Sequence, residues 1–129
     1  MSNRQEIQTE IRNMECLQRA CVKRSIVETL EIAPQGQKVK ARQYQGDVAG
    51  VAKVNLAGWQ YPIVIQEDGT VVFDNHEGHW GNIKELNGLV AEYGEEVVMH
   101  QLIELEGHTL QDRQVLADGT VELTIGIGG

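Results

Sequence analysis

Apolar and polar positions change period several times along the chain, and each change marks an element. Ile7, Thr9 and Ile11 alternate with Glu6, Gln8, Glu10 and Arg12, the period of a half-exposed strand. Asn13 follows as a candidate N-cap, and Met14, Leu17, Cys21 and Val22 then recur at helical spacing to about Lys23. The run IVETLEI at 26–32 predicts a strand, closed by a turn at Pro34 and Gly36. In KVKARQYQG, Lys38, Lys40 and Arg42 alternate with Val39, Ala41 and Gln43, so a strand here carries three cations on one face. Residues 47–58 are small and weakly patterned, and predict one strand between Gly50 and Gly58.

The clearest hairpin is YPIVIQ-EDGT-VVFDN, two β-rich runs around Asp68-Gly69, with Pro62 marking a strand entry or an edge. After a loop from His76 to Gly81, Asn82 can cap a long helix whose apolar positions Ile83, Leu86, Val90, Tyr93 and Val97 continue to Leu102 and Leu105 before Gly107. Glu95 and Glu96 read as its wet face. A second hairpin, QVL-ADGT-VELTIGI, aligns Val121, Leu123, Ile125 and Ile127. Asp-Gly-Thr-Val therefore occurs twice, and the shared need for a turn explains it without an internal repeat. The order of elements predicts a single α+β domain over 1–129: an antiparallel or mixed sheet with two helices on one face, ferredoxin-like or related.

With 129 residues, 41% hydrophobic and 23% charged, the composition is ordinary for a globular domain and excludes disordered, collagenous and disulfide-stapled classes. The net charge of −8 is unevenly placed: residues 1–60 hold nine Lys/Arg and six Asp/Glu, and residues 61–129 two and thirteen. The overall field opposes polyanions, so nucleic acid is not an expected partner. Cys16 and Cys21, five residues apart on a helix, point about 140° apart and are expected as buried thiols. The start MSNRQEIQTE has no apolar leader, and no run suits a membrane span, so a cytoplasmic protein is expected.

The densest set of potential ligands is DNHEGHW, where Asp74, His76, Glu77 and His79 offer a weak alternative as a metal or catalytic loop. No nucleophile elbow or phosphate loop is present, and neither a catalytic set nor a cofactor is expected. The strip Lys38, Lys40, Arg42 with Tyr44 reads as a guarded strand face, as a protein contact or, with Tyr44 stacking, as a single-strand clamp that the chain charge opposes. Trp80, in a polar loop, is either half-buried on the sheet or an interface anchor.

The ECLQRA helix after a short strand, the KARQYQG strand, the YPIVIQEDGTVVFD hairpin before a His-Trp-Gly loop and the terminal ADGTVELTI hairpin occur in an order that resembles a family of conserved hypothetical proteins. These are encoded by an open reading frame of algal chloroplasts and cyanobacteria. The resemblance implies a small α+β protein without established catalytic residues or cofactor, in the plastid stroma where organellar. It also implies partners among AAA-type ATPases and small accessory proteins. The IGIGG ending and the two-histidine loop depart from the plastid pattern, and no photosynthetic role is carried over. The expected function is a non-enzymatic interaction module, adaptor or accessory subunit, contacting partners through Lys38, Lys40, Arg42, Tyr44 and Trp80. The split of charge also allows a homo-oligomer, and the alternative is a small ligand-binding protein or enzyme around His76, His79 and Asp74.

Overall fold

The computed structural model describes residues 5–7, 10–105, 107, 109–117 and 121–126. Its elements are β1 (Gln5–Ile7), α1 (Met14–Lys23), β2 (Glu31–Ile32), β3 (Val39–Gln43), β4 (Gly46–Gly50), β5 (Ala52–Val54), β6 (Ile63–Ile65), β7 (Val71–Phe73), α2 (Ile83–Val98), β8 (Thr109–Val115) and β9 (Val121–Gly126). The main sheet has the order β1-β7-β6-β5-β2, and β3-β4 and β8-β9 form two separate ribbons. Every pairing is antiparallel, so the architecture is α+β. Among the described residues, no helix is long and apolar enough to cross a membrane.

The unbroken apolar runs of β6 (IVI) and β7 (VVF) are buried at every position because the sheet is covered on both faces. Ile63, Ile65, Val71 and Phe73 enter the principal core with Leu17 and Cys21 of α1 and Leu86 and Leu89 of α2. Val64 and Val72, paired in register, instead pack with Ala41 and Val48 of the β3-β4 ribbon. Three layers result: two helices, the sheet, and a basic hairpin on its far side. Pro62 lies just before β6, a central strand, so it marks an entry and not an edge.

The weakly patterned 47–58 segment forms two strands instead of one, because the chain leaves the ribbon at Gly50 and joins the sheet at Ala52. A Cβ on Gly50 would lie 2.4 Å from both Ile65 O and Val64 Cγ1, and the Val51 amide donates to Ile65 O at 2.8 Å. Only a residue without a side chain lets the two layers approach this closely. The strand expected at 26–32 is also largely replaced: Val27–Thr29 is a 3-10 turn and only Glu31–Ile32 pair. Thr29 explains this, since its Oγ1 donates to Ile26 O and accepts from the Asn55 amide at 3.0 Å, so a β-branched residue serves as a local clasp.

Asn13 caps α1 by accepting from the Cys16 amide, and Asn82 caps α2 by accepting from the Lys84 amide. The Tyr93 hydroxyl accepts from the amides of Arg12 and Asn13 at 3.2 and 3.1 Å, and so satisfies donors at the start of α1 from the side of α2. Both cysteines are buried thiols, and burial pushes that of Cys21 up to about 11, which keeps it un-ionised and inert at neutral pH. Gly69 holds the β6-β7 turn with a φ of 89°, while Asp68 Oδ1 accepts from the Thr70 amide. The hairpin expected around Asp118-Gly119 has its strands in place, with Val121, Leu123 and Ile125 half-buried between exposed Glu122 and Thr124. The turn itself, residues 118–120, and Ile127 lie outside the described residues.

Glu95 and Glu96 are not a wet face: both are buried, at 7% and 6% exposure. Glu96 pairs with Lys23 of α1, and Glu95 accepts from Arg113 of β8 at 2.7 Å. Two cations of the basic half thus meet the acidic half within the molecule, Lys23 at Glu96 and Arg24 at Glu85 across the helices. The hydrogen bond to Glu96 raises the Lys23 pKa above the usual 10.5. A raised cation pKa means this stabilisation is complete below pH 10.5 and lost as pH rises through the folded value. The melting-temperature gap between wild type and Lys23→Met is therefore expected to be constant from neutral pH to about 10 and to close above it. A gap that narrows at neutral pH contradicts the pairing.

Candidate interaction surface

The β3 pattern dictates the surface. Val39, Ala41 and Gln43 point inward, so Lys40 and Arg42, with Lys38 before the strand, are exposed on the outer face. Gln43 anchors the end of the strand: its buried amide donates to Pro62 O at 3.3 Å and Val72 O at 3.2 Å. The hairpin tip is thereby held over the start of β6, and Tyr44 comes to rest beside Trp80, with ring centroids 5.1 Å apart. Tyr61, just before β6, meets the same indole edge-on at 5.3 Å. Periodicity does not reveal that contact, although the Tyr-Pro step at a strand entry is where an outward aromatic can sit.

The loop that delivers Trp80 is ordered by local polar bonds. Asp74 Oδ1 accepts from the His76 amide, Asn75 Nδ2 donates to Gly81 O, and the Trp80 amide donates to Asn75 O. His76 takes a φ of 48°, which costs a non-glycine residue energy, and stacks on Trp80 at 4.6 Å with 23° between the planes. Behind this layer Trp59 is in the core, edge-on to Phe73 and donating from Nε1 to Asn82 O, while Gly81 lies flat against its indole. The six aromatic residues thus divide evenly. Trp59, Phe73 and Tyr93 are buried, and Tyr44, Tyr61 and Trp80 form one surface cluster in which Tyr44 is 61% exposed.

The structure therefore brings Tyr44 and Trp80 together and sets Lys40 and Arg42 on the strand leading to them. Lys38 stands at the far end, beside Glu67 and Asp68 at a cavity of about 330 Å³. Lys38, Lys40 and Arg42 form no ion pair among the described residues. The alternative ligands are also neighbours: the His76 and His79 rings are 4.9 Å apart, with His79 exposed and its Nδ1 2.8 Å from His76 O, while Asp74 is buried and accepts from the His76 amide. No group of three or more His, Cys, Asp or Glu that could hold a metal occurs among the described residues. Lys38 and Glu67 also line a cavity of about 450 Å³ with Arg12 and the turn at Pro34, and another of about 350 Å³ lies between α2 and β9.

These features describe an α+β protein with a cationic, aromatic-ended sheet face. No family model, no curated protein and no solved structure matches the chain.

Proposed function

We propose that this protein is a non-enzymatic interaction module, an adaptor or accessory subunit, that meets another protein with the outer face of β3 and the Tyr44-Tyr61-Trp80 cluster. One observation carries the proposal: half of the chain's aromatic residues gather at the surface, at the end of a strand whose cations have no ion-pair partner among the described residues. Aromatic and arginine side chains are the usual anchors of protein contacts. The resemblance to the chloroplast and cyanobacterial family supports the same reading and suggests an AAA-type ATPase or small accessory proteins, in the cytoplasm or plastid stroma.

The test is partner recovery by the purified 129-residue chain against two variants, Arg42→Glu and Tyr44→Ala, each checked for an unchanged melting temperature. Recovery of a specific protein is expected to fall by about tenfold in each. Equal recovery by all three forms would remove the proposal.

A second reading, a small-ligand or metal site at the histidine loop, is favoured by one observation: Asp74 Oδ2 and His76 Nδ1 are buried without a hydrogen-bond partner among the described residues. Zinc titration separates the two. The interaction reading expects affinity no tighter than millimolar and unchanged by His76→Ala.

A further inference from the structure

Most of the described cations have a partner. Arg19, Lys23, Arg24, Lys53 and Arg113 each reach a carboxylate, and Arg12 donates to Asp68 O. Among the described residues Lys38, Lys40 and Arg42 do not, although the chain has 19 acidic residues against 11 basic ones. Even Asp47, the register partner of Arg42 on β4, makes no ion pair with it. We infer that this strip is kept open for an acidic, extended segment of a partner protein, laid face-on along β3 with an apolar side chain against Tyr44 and Trp80. The inference rests on the interaction reading above and adds the chemistry of the partner.

Three features favour that occupant. Lys40 and Arg42 alternate on the outer face of β3 at a step of about 7 Å, the repeat of carboxylates at every second residue of an extended chain, with Lys38 just before the strand and Tyr44 in the turn after it. The mode is face-on because the charged side chains stand on the outer face and the edge of β3 is already partly taken. In the ladder, Gln43 and Gly46 flank the tip, so the backbone groups of Lys40 and Arg42 point out from the edge, where Lys53 Nζ donates to Lys40 O at 3.1 Å. Lys53 is itself tied to Glu31 at 3.3 Å. A protein segment is favoured over single-stranded nucleic acid because the rings are engaged with one another: His76 stacks on the Trp80 indole, while Tyr44 and Tyr61 approach it at 45° and 71°. Bases need open ring faces.

The probe is a fluorescein-labelled synthetic peptide with glutamate at four alternate positions, threonine between them and leucine at each end, followed by anisotropy against the full chain. Expected is saturable binding that weakens by about tenfold in the Lys40→Glu/Arg42→Glu double variant and in high salt. Lys84→Glu, which reverses another exposed cation without an ion pair among the described residues, should leave it unchanged. N-methylation of the peptide backbone should also leave it unchanged. No binding, an equal loss in Lys84→Glu, loss on N-methylation, or tighter binding of an oligothymidine would each overturn the inference. So would a salt-sensitive dimer of the chain that the double variant abolishes, since that assigns the face to a second copy. If the peptide fails while partner recovery still depends on Tyr44, only the acidic-segment inference falls. If recovery is indifferent to Arg42 and Tyr44, the interaction reading falls with it.

Discussion

Replacing Gly50 by alanine is expected to destabilise the fold by about 3 kcal/mol or more and to loosen the basic hairpin from the sheet. The new Cβ has no open direction: one neighbour is the Ile65 carbonyl oxygen, already accepting from Val51, and the other is Val64 Cγ1, in the small cluster that joins ribbon and sheet. A backbone oxygen cannot rotate away as a side chain can, so the ribbon has to shift. Denaturant unfolding should show the loss. Gly88→Ala is the contrast, because its Cβ meets the Arg24 guanidinium, a flexible end that can move. Equal stability of Gly50→Ala and wild type would contradict the three-layer arrangement.

Trp59→Ala is the second large effect, at about 3–5 kcal/mol, the range for emptying a buried aromatic site. More than volume is lost. The indole packs edge-on to Phe73, supports Gly81 through its face and donates to Asn82 O at the start of α2. The helix N-terminus and the loop carrying Trp80 therefore depend on one side chain. The melting temperature should fall by about 10 °C or more, and Trp59→Phe should recover part of it while leaving Asn82 O without its donor. A fall no greater than that of Trp80→Ala would contradict the assignment of Trp59 to the core and Trp80 to the surface.

Elements set by neighbouring residues were legible in the sequence. Asn13 and Asn82 are caps whose partners lie two or three residues away, the β3 alternation follows from Val39, Ala41 and Gln43, and Asp68-Gly69 carries its own turn chemistry. Features set by distant packing were not. Thr29 forms a 3-10 clasp only because Asn55 is brought against it, and the bend at Gly50 answers to Ile65, which nothing in DVAGVAKV announces. Glu95 and Glu96 read as solvated because helical spacing alone cannot show Lys23 and Arg113 closing over them. The site divides in the same way. Lys38, Lys40, Arg42, Tyr44 and Trp80 were each visible as residues, but the meeting of Tyr44 and Tyr61 on either side of Trp80 follows from the Gln43 amide bonding to Pro62 O and Val72 O.

The most direct measurement is site-specific photo-crosslinking from position 42, on the outer face of β3, against position 18, on the exposed side of α1. An interaction module that uses the basic face predicts a discrete adduct with another protein from position 42 and none from position 18. The same adduct from both positions, or none from position 42, would contradict it.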